Sequence, residues 1–254
     1  MRVVPLEIIV LHSQPLRPVT SVPSRPRVVE LASRQPILQI ALDLTSLEDA
    51  LLLASRLRRG LGDSGWLAEA GTPLIKSEGL RSVSLLARVV DPVPVVADMK
   101  TADTGALEAE LACKAGASVV TVLGLAPDET IEAAVRTAHN CGMAVAVDML
   151  GVRNVLERVE ELEPLGVDII ELHVGIDVQR ALGLTAAELR GLVSKIASKF
   201  NGVVAVAGGL NESTAPAMIE AGASIAIVGG AITRSRDPVG MAKKILKAIQ
   251  SVSR

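Results

Sequence analysis

The sequence predicts an α/β protein, a closed (β/α)8 TIM barrel, and three observations predict it. From Ile37 onward a short apolar run, a polar turn and an amphipathic stretch recur eight times. The apolar runs, such as Val95-Val96-Ala97, are continuous rather than alternating, as expected of strands in a parallel sheet covered on both faces. Several amphipathic stretches close with a glycine just after the last turn, at Gly116, Gly166 and Gly222, a C-cap that feeds the next strand. Eight parallel units in so short a chain fit a closed barrel better than a doubly wound open sheet, the alternative architecture.

The segment before these units differs from them. Residues 1–36 carry prolines at 5, 15, 18, 23, 26 and 36 and arginines at 2, 17, 25, 27 and 34, without a sustained period. They read as an extension outside the fold, a flexible arm, because this composition buries little apolar surface. The barrel is then residues 37–254. Its strands are expected at 37–42, 66–70, 95–99, 118–123, 144–149, 168–173, 203–207 and 224–228. The helices that return the chain are expected at 47–57, 80–90, 105–115, 129–141, 155–165, 186–200, 214–221 and 239–253.

Composition excludes several functions. The net charge is -2, Tyr is absent, and there is one Phe and one Trp, so neither a basic surface nor base-stacking rings suggest nucleic acid as a partner. No apolar run approaches the ~20 residues of a membrane helix, and a soluble, cytoplasmic protein is expected. Cys113 and Cys141 fall inside helical patterns at no metal-ligand spacing, and read as small buried hydrophobes rather than a zinc site or a disulfide framework. His12 belongs to the extension and His139 to a helix.

Chemistry is expected where the strands end, since that face of a barrel is the ligand face. The residues there are Asp43, Glu69, Asp98 with Lys100 and Asp103, Asp148, His173, Gly208-Gly209 and Gly229-Gly230. In Asp98-Met99-Lys100 the two charged residues are two apart and point to one side of an extended chain, with Asp103 in the turn beyond. The plain alternative for Asp98 or Asp103 is a cap on the helix that starts near Thr104. Glu69 and Asp98 suit a hard cation such as Mg²⁺, which needs only one or two carboxylates from protein; the alternative for Glu69 is an ion pair with Lys76 or Lys100. The glycine pairs after strands seven and eight let backbone N–H groups approach a phosphate, with Arg234 nearby. His173 is either a base on this face or a satisfied core histidine.

The stretches LQIALD (38–43), EAGTPLIKSEG (69–79), VVADMKTADTG (95–105), VTVLG (120–124), VAVDMLGV (145–152), IIELHVGID (169–177), VAVAGG (204–209) and IVGGAIT (227–233) resemble the orotidine monophosphate decarboxylase suprafamily of small barrels, and within it the 3-hexulose-6-phosphate synthases. The resemblance implies an aldolase that reversibly joins D-ribulose 5-phosphate to formaldehyde through an Mg²⁺-stabilised enediolate, with Mn²⁺ as the alternative ion. It implies Glu69 and Asp98 as metal ligands, and Asp43, Lys100, Asp103 and His173 as further site residues. A homodimer is implied too, with Asp103 reaching the partner's site. His173 is the candidate base, and Lys100 between two carboxylates stays charged. The related branch that decarboxylates 3-keto-L-gulonate 6-phosphate carries arginines where this sequence has Ile176 and Gly230. A sugar-phosphate-binding protein without turnover is the non-enzymatic alternative.

Overall fold

A computed structural model describes residues 25–252. Eight parallel strands, β1 (Ile37–Leu42), β2 (Trp66–Ala70), β3 (Val95–Thr101), β4 (Val119–Leu123), β5 (Ala144–Asp148), β6 (Ile169–His173), β7 (Val203–Ala207) and β8 (Ile225–Val228), pair in sequence order, and β8 returns to β1 to close the barrel. The (β/α)8 expectation holds. The main deviation is β3, which runs to Thr101 because a register irregularity between Ala97 and Thr101 carries the strand past Asp98 and Lys100.

Twelve α-helices accompany the strands among the described residues: α1 (Arg27–Arg34), α2 (Leu47–Leu61), α3 (Thr72–Glu78), α4 (Arg81–Val90), α5 (Gly105–Lys114), α6 (Asp128–Asn140), α7 (Val155–Leu162), α8 (Ile176–Leu182), α9 (Arg190–Ala197), α10 (Ala215–Glu220), α11 (Gly230–Thr233) and α12 (Pro238–Gln250). The longer ones fall where the periodicity predicts. The short α3, α8 and α11 lie in the loops after β2, β6 and β8, and seven residues or fewer are too few to establish a helical period.

Period two along each strand divides the side chains between two cores. On β1, Leu38, Ile40 and Leu42 join the layer under the helices, while Ile37 and Ala41 join the barrel interior with Val119, Ile169, Val203 and Ile225. Into this interior core from outside the strands come Val28, Val29 and Ala32 of α1, so the helix closes the barrel next to the strands' amino ends. The expectation that everything before Ile37 lies outside the fold therefore fails for this segment. Its apolar face is only three residues in an eight-residue helix between Pro26 and Pro36, and nothing local signals that an open barrel end awaits it. Residues 1–24, with His12, lie outside the described residues.

A second correction concerns the cysteines. Cys113 at the end of α5 and Cys141 just after α6 form a disulfide, with Cα atoms 6.2 Å apart. The pairing has no local signature, because only the packing of α5 against α6 brings the two helix ends together. His139 is in α6 as expected, and Asp168 holds it at 2.9 Å. No helix among the described residues is long and apolar enough to cross a membrane.

Candidate active site

Apolar side chains fill the lower barrel, but toward the carboxyl ends of the strands the interior turns polar: Gln39, Glu69, Asp98, Thr121, Asp148 and Glu171 are all buried there. Each is held by the strand pairing that places it. Asp98 is the most heavily bound. It accepts the Thr72 hydroxyl (2.6 Å), the Thr72 backbone N–H (3.2 Å) and the Thr121 hydroxyl (2.8 Å), and both its oxygens lie 2.9 Å from Lys100 Nζ. Lys100 reaches back to it from a left-handed backbone (φ 48°), where the β3 irregularity turns the chain and Thr121 Oγ1 accepts its N–H. A non-glycine residue in that region is strained, and two ion pairs hold it there.

The same ammonium lies 2.9 Å from Asp148 Oδ2. That oxygen is also 3.0 Å from His173 Nδ1, while Asp148 Oδ1 accepts the N–H of Leu150. Nδ1 is thus the donor toward Asp148, and in the neutral imidazole Nε2 is then the lone-pair nitrogen. Glu171, two residues before His173 and so on the same inward side of β6, has Oε1 3.7 Å from Nδ1. Across the barrel Glu69 accepts from Gln39 at 2.7 Å. Asp43 sits at the mouth, wedged between Gly71 and Gly229: a side chain on Gly71 would collide with Asp43 Oδ1.

Charge is distributed unevenly among these groups. Burial works against the Lys100 charge, but Asp98, Asp148 and Glu171 outweigh it and hold the ammonium well above its ordinary range. Burial likewise opposes the Asp148 charge, yet the His173 hydrogen bond and charge, with Lys100, bring it down to about 2. Glu69 goes the other way: burial, then Asp98 and Asp43, push its carboxyl well above the usual range, and Gln39 and Lys100 offset this only in part. Asp43 is raised by the protein around the mouth and by Asp98.

The structure brings together Asp43, Glu69, Asp98, Lys100, Asp148 and His173 from the expected set. Asp103 does not join them within the chain. It is exposed, and its carboxylate accepts the N–H of Thr104, itself left-handed at φ 53°. Gly208 and Gly209 take positive φ (116° and 72°) at the β7 end, and at the β8 end Gly230 has the Arg234 guanidinium packed against it. The polar residues missed by sequence reasoning are Gln39, Thr72, Thr121 and Glu171. Period two from His173 marks Glu171 as inward, and period two from Ala41 does the same for Gln39. Asp148, Glu171 and His173 can offer one ligand atom each within 4.8 Å of one another, but Lys100 already supplies the positive charge there.

The family model described as "Orotidine 5'-phosphate decarboxylase / HUMPS family" matches residues 36–245. The chain belongs to that family. Among its members, the 3-hexulose-6-phosphate synthase of Mycobacterium gastri is 41% identical over 212 residues, covering 84% of this chain and 99% of that protein. The 3-hexulose-6-phosphate synthase 1 of Staphylococcus saprophyticus is 38% identical over 213 residues, covering 84% and 98%. The crystal structure of the 3-hexulose-6-phosphate synthase from Salmonella typhimurium superposes with a TM-score of 0.78 at 33% identity, over 85% of this chain and all of that one. The matched family region begins within a residue of β1 and so leaves α1 outside it.

Proposed function

We propose that this chain is a 3-hexulose-6-phosphate synthase, an aldehyde-lyase that reversibly condenses D-ribulose 5-phosphate with formaldehyde to D-arabino-hex-3-ulose 6-phosphate. The observation that carries the reading is the His173–Asp148–Lys100 chain at the barrel mouth, in a protein similar over nearly its whole barrel to synthases. Asp148 orients the imidazole through Nδ1, which leaves Nε2 to remove a proton from C1 of the ketose. Loss of that proton turns C1, C2 and their oxygens into an enediolate. C1 then attacks the formaldehyde carbon, the carbonyl π bond breaks, and the oxygen that becomes an alkoxide takes a proton. Lys100, fixed and charged, lowers the cost of negative charge at each stage. In reverse, the same groups cleave the bond between the new carbon and old C1.

The donor set suits a hard divalent cation. Glu69, Asp98 and Asp43 crowd three carboxyls around one ammonium, and Glu69, raised first by burial and then by the charges of Asp98 and Asp43, gains from a nearby cation. Glu69 and Asp98 would hold Mg²⁺, and Mn²⁺ fits the same oxygens. Bound there, the ion supplies positive charge against the oxygen-centred charge of the enediolate. Gly208-Gly209 and Gly229-Gly230 leave backbone without side chains at the ends of β7 and β8, where a Cβ would crowd Val174, Gln179, Asp43 or Arg234, and this backbone with Arg234 beside Gly230 suits the substrate phosphate. Asp103 points outward beside Leu107 and Leu111, exposed one turn apart on α5, which favours a homodimer in which Asp103 serves the partner's site.

The test follows formaldehyde loss with purified protein, ribulose 5-phosphate and Mg²⁺, and follows C1-proton exchange into deuterated water without formaldehyde. His173→Asn should slow exchange by about 10²- to 10⁴-fold while sugar-phosphate binding persists. A variant that exchanges at the parental rate removes His173 from this role. If the parent consumes no formaldehyde yet binds the sugar phosphate, the protein is a binder rather than a synthase; release of CO₂ from 3-keto-L-gulonate 6-phosphate would assign it to the decarboxylase branch.

A further inference from the structure

Two consecutive glycines follow β7, and a turn without side chains does not hold its own shape, because glycine loses more conformational freedom on ordering than any other residue. Gly208 and Gly209 nonetheless take defined conformations, with φ of 116° and 72°. What surrounds them is the segment after β6. The Val174 N–H donates to the Ala207 carbonyl at 3.1 Å, and the Ala186 N–H donates to the Gly208 carbonyl at 2.8 Å. Between those two points the chain passes through α8 and returns, so residues 174–186 cradle the turn. A Cβ on Gly208 would lie 2.5 Å from the Val174 carbonyl oxygen, and one on Gly209 would meet Gln179 Oε1 at 2.9 Å and the Thr185 side chain at 3.3 Å.

Gln179 ties this cradle together. From the middle of α8 its Nε2 donates at 2.7 Å to the Val174 carbonyl, the same oxygen that Gly208 packs on, while its Oε1 lies against Gly209. No residue of α8 is buried, and Ile176, Val178 and Leu182 are exposed, so apolar packing fastens this helix weakly. We propose that Gln179 is a positioning residue for the substrate phosphate: by tying α8 to the Val174 carbonyl it shapes the Gly208-Gly209 turn, whose N–H groups then meet the anion already ordered. The inference rests on the reading of that turn as the phosphate site. A donor is required because the group to be held is a carbonyl; a carboxylate of the same length offers only acceptors and sets negative charge beside the anion. Without the tie, each binding event bears the cost of ordering the turn, which weakens binding rather than chemistry.

Inorganic phosphate is the probe, titrated into the parent, Gln179→Met and Gln179→Glu while the Gly208 and Gly209 amides are followed by NMR. Gln179 is only partly buried, so both variants are expected to fold. Both amides should shift saturably in the parent. Methionine keeps the length and loses the donor, and should weaken phosphate binding about three- to tenfold, the range for one hydrogen bond; glutamate should weaken it further. With ribulose 5-phosphate, KM for C1-proton exchange should rise in the same order while kcat falls by less, since the groups around the reacting carbon are untouched. A residue that only supports the fold would not confine its effect to KM and phosphate affinity.

Amides that stay still in the parent would remove the phosphate reading of the turn and the proposal with it, and that measurement needs no substitution. Amides that move, with both variants binding phosphate as tightly as the parent, would overturn the proposal alone. So would a fall in kcat at unchanged phosphate affinity. If phosphate affinity falls in the expected order while no protein exchanges the C1 proton, Gln179 keeps its role at the turn and the proposed reaction fails.

Discussion

Replacing Lys100 by Met tests the electrostatic frame of the site. Lys100 Nζ lies 2.9 Å from Asp98 and 2.9 Å from Asp148, two carboxylates that are almost wholly buried. Methionine keeps the length of the side chain and leaves the left-handed backbone as strained as before, so the substitution removes the charge and little else. Removing one partner of a buried ion pair typically costs about 3–5 kcal/mol, because the charge left behind has no compensation. The carboxylate side gives a figure of the same order. Asp148 stands at about 2 against an ordinary 3.8, and a difference of ~2 units corresponds to ~2–3 kcal/mol of native-state stabilisation, shared between His173 and Lys100.

The sign follows from that depression. The contribution of Asp148 is fully present above its unfolded value near 3.8 and is lost as pH falls through about 2. In Lys100→Met the Asp148 carboxyl loses one of the charges that hold it down and protonates in the folded state at a higher pH, which relieves the repulsion. The variant should therefore lose about 3–5 kcal/mol in urea unfolding at neutral pH, and the gap to the parent should narrow steadily toward pH 4. A loss below about 1 kcal/mol, the range of surface pairs, or a gap that stays constant with pH, would refute Lys100 as the counter-ion of this site.

Chelation should abolish formaldehyde consumption and added Mg²⁺ restore it, while Glu69→Gln weakens metal binding in calorimetry without lowering the unfolding midpoint; turnover in excess chelator with no bound metal detected would remove Glu69 and Asp98 as ligands. Val28 and Val29 of α1 are 1% and 4% exposed, so Val28→Ala/Val29→Ala should cost about 3 kcal/mol at about 0.8 kcal/mol per methylene-sized group. An unchanged denaturation midpoint would show that α1 does not contribute to the barrel's stability. Reducing the disulfide, whose cysteines are 28 residues apart, should lower stability by between about 3 and 4 kcal/mol on the loop-entropy scale, checked by thermal unfolding with and without a phosphine reductant.

The barrel itself is legible in the sequence because its determinants are local. A strand buried on both faces is largely apolar, its charges gather toward its carboxyl end, and a glycine stops several of the returning helices. Those requirements place β1 through β8 to within a residue or two, and they put Asp43, Glu69, Asp98, Lys100, Asp148 and His173 on one face. Period two even marks Glu171 as inward, although a single acid within Ile169-Ile170-Glu171-Leu172 reads more easily as part of an apolar run.

What remained hidden depends on contacts between segments distant in sequence. Whether α1 packs is decided by the open end that eight strands leave when they close, a cavity that no window of residues 27–34 contains. Cys113 and Cys141 become partners only once α5 lies against α6. The two threonines that clamp Asp98 come from the loop after β2 and from β4, and Lys100 reaches both its carboxylates only because the β3 irregularity turns its backbone left-handed. Asp103 shares the motif with Asp98 and Lys100 but falls beyond that turn, so its side chain leaves the barrel mouth. Local chemistry selects the residue types at a strand end; closure of the barrel decides which of them meet, because the distances that set charge and hydrogen bonding are distances across it.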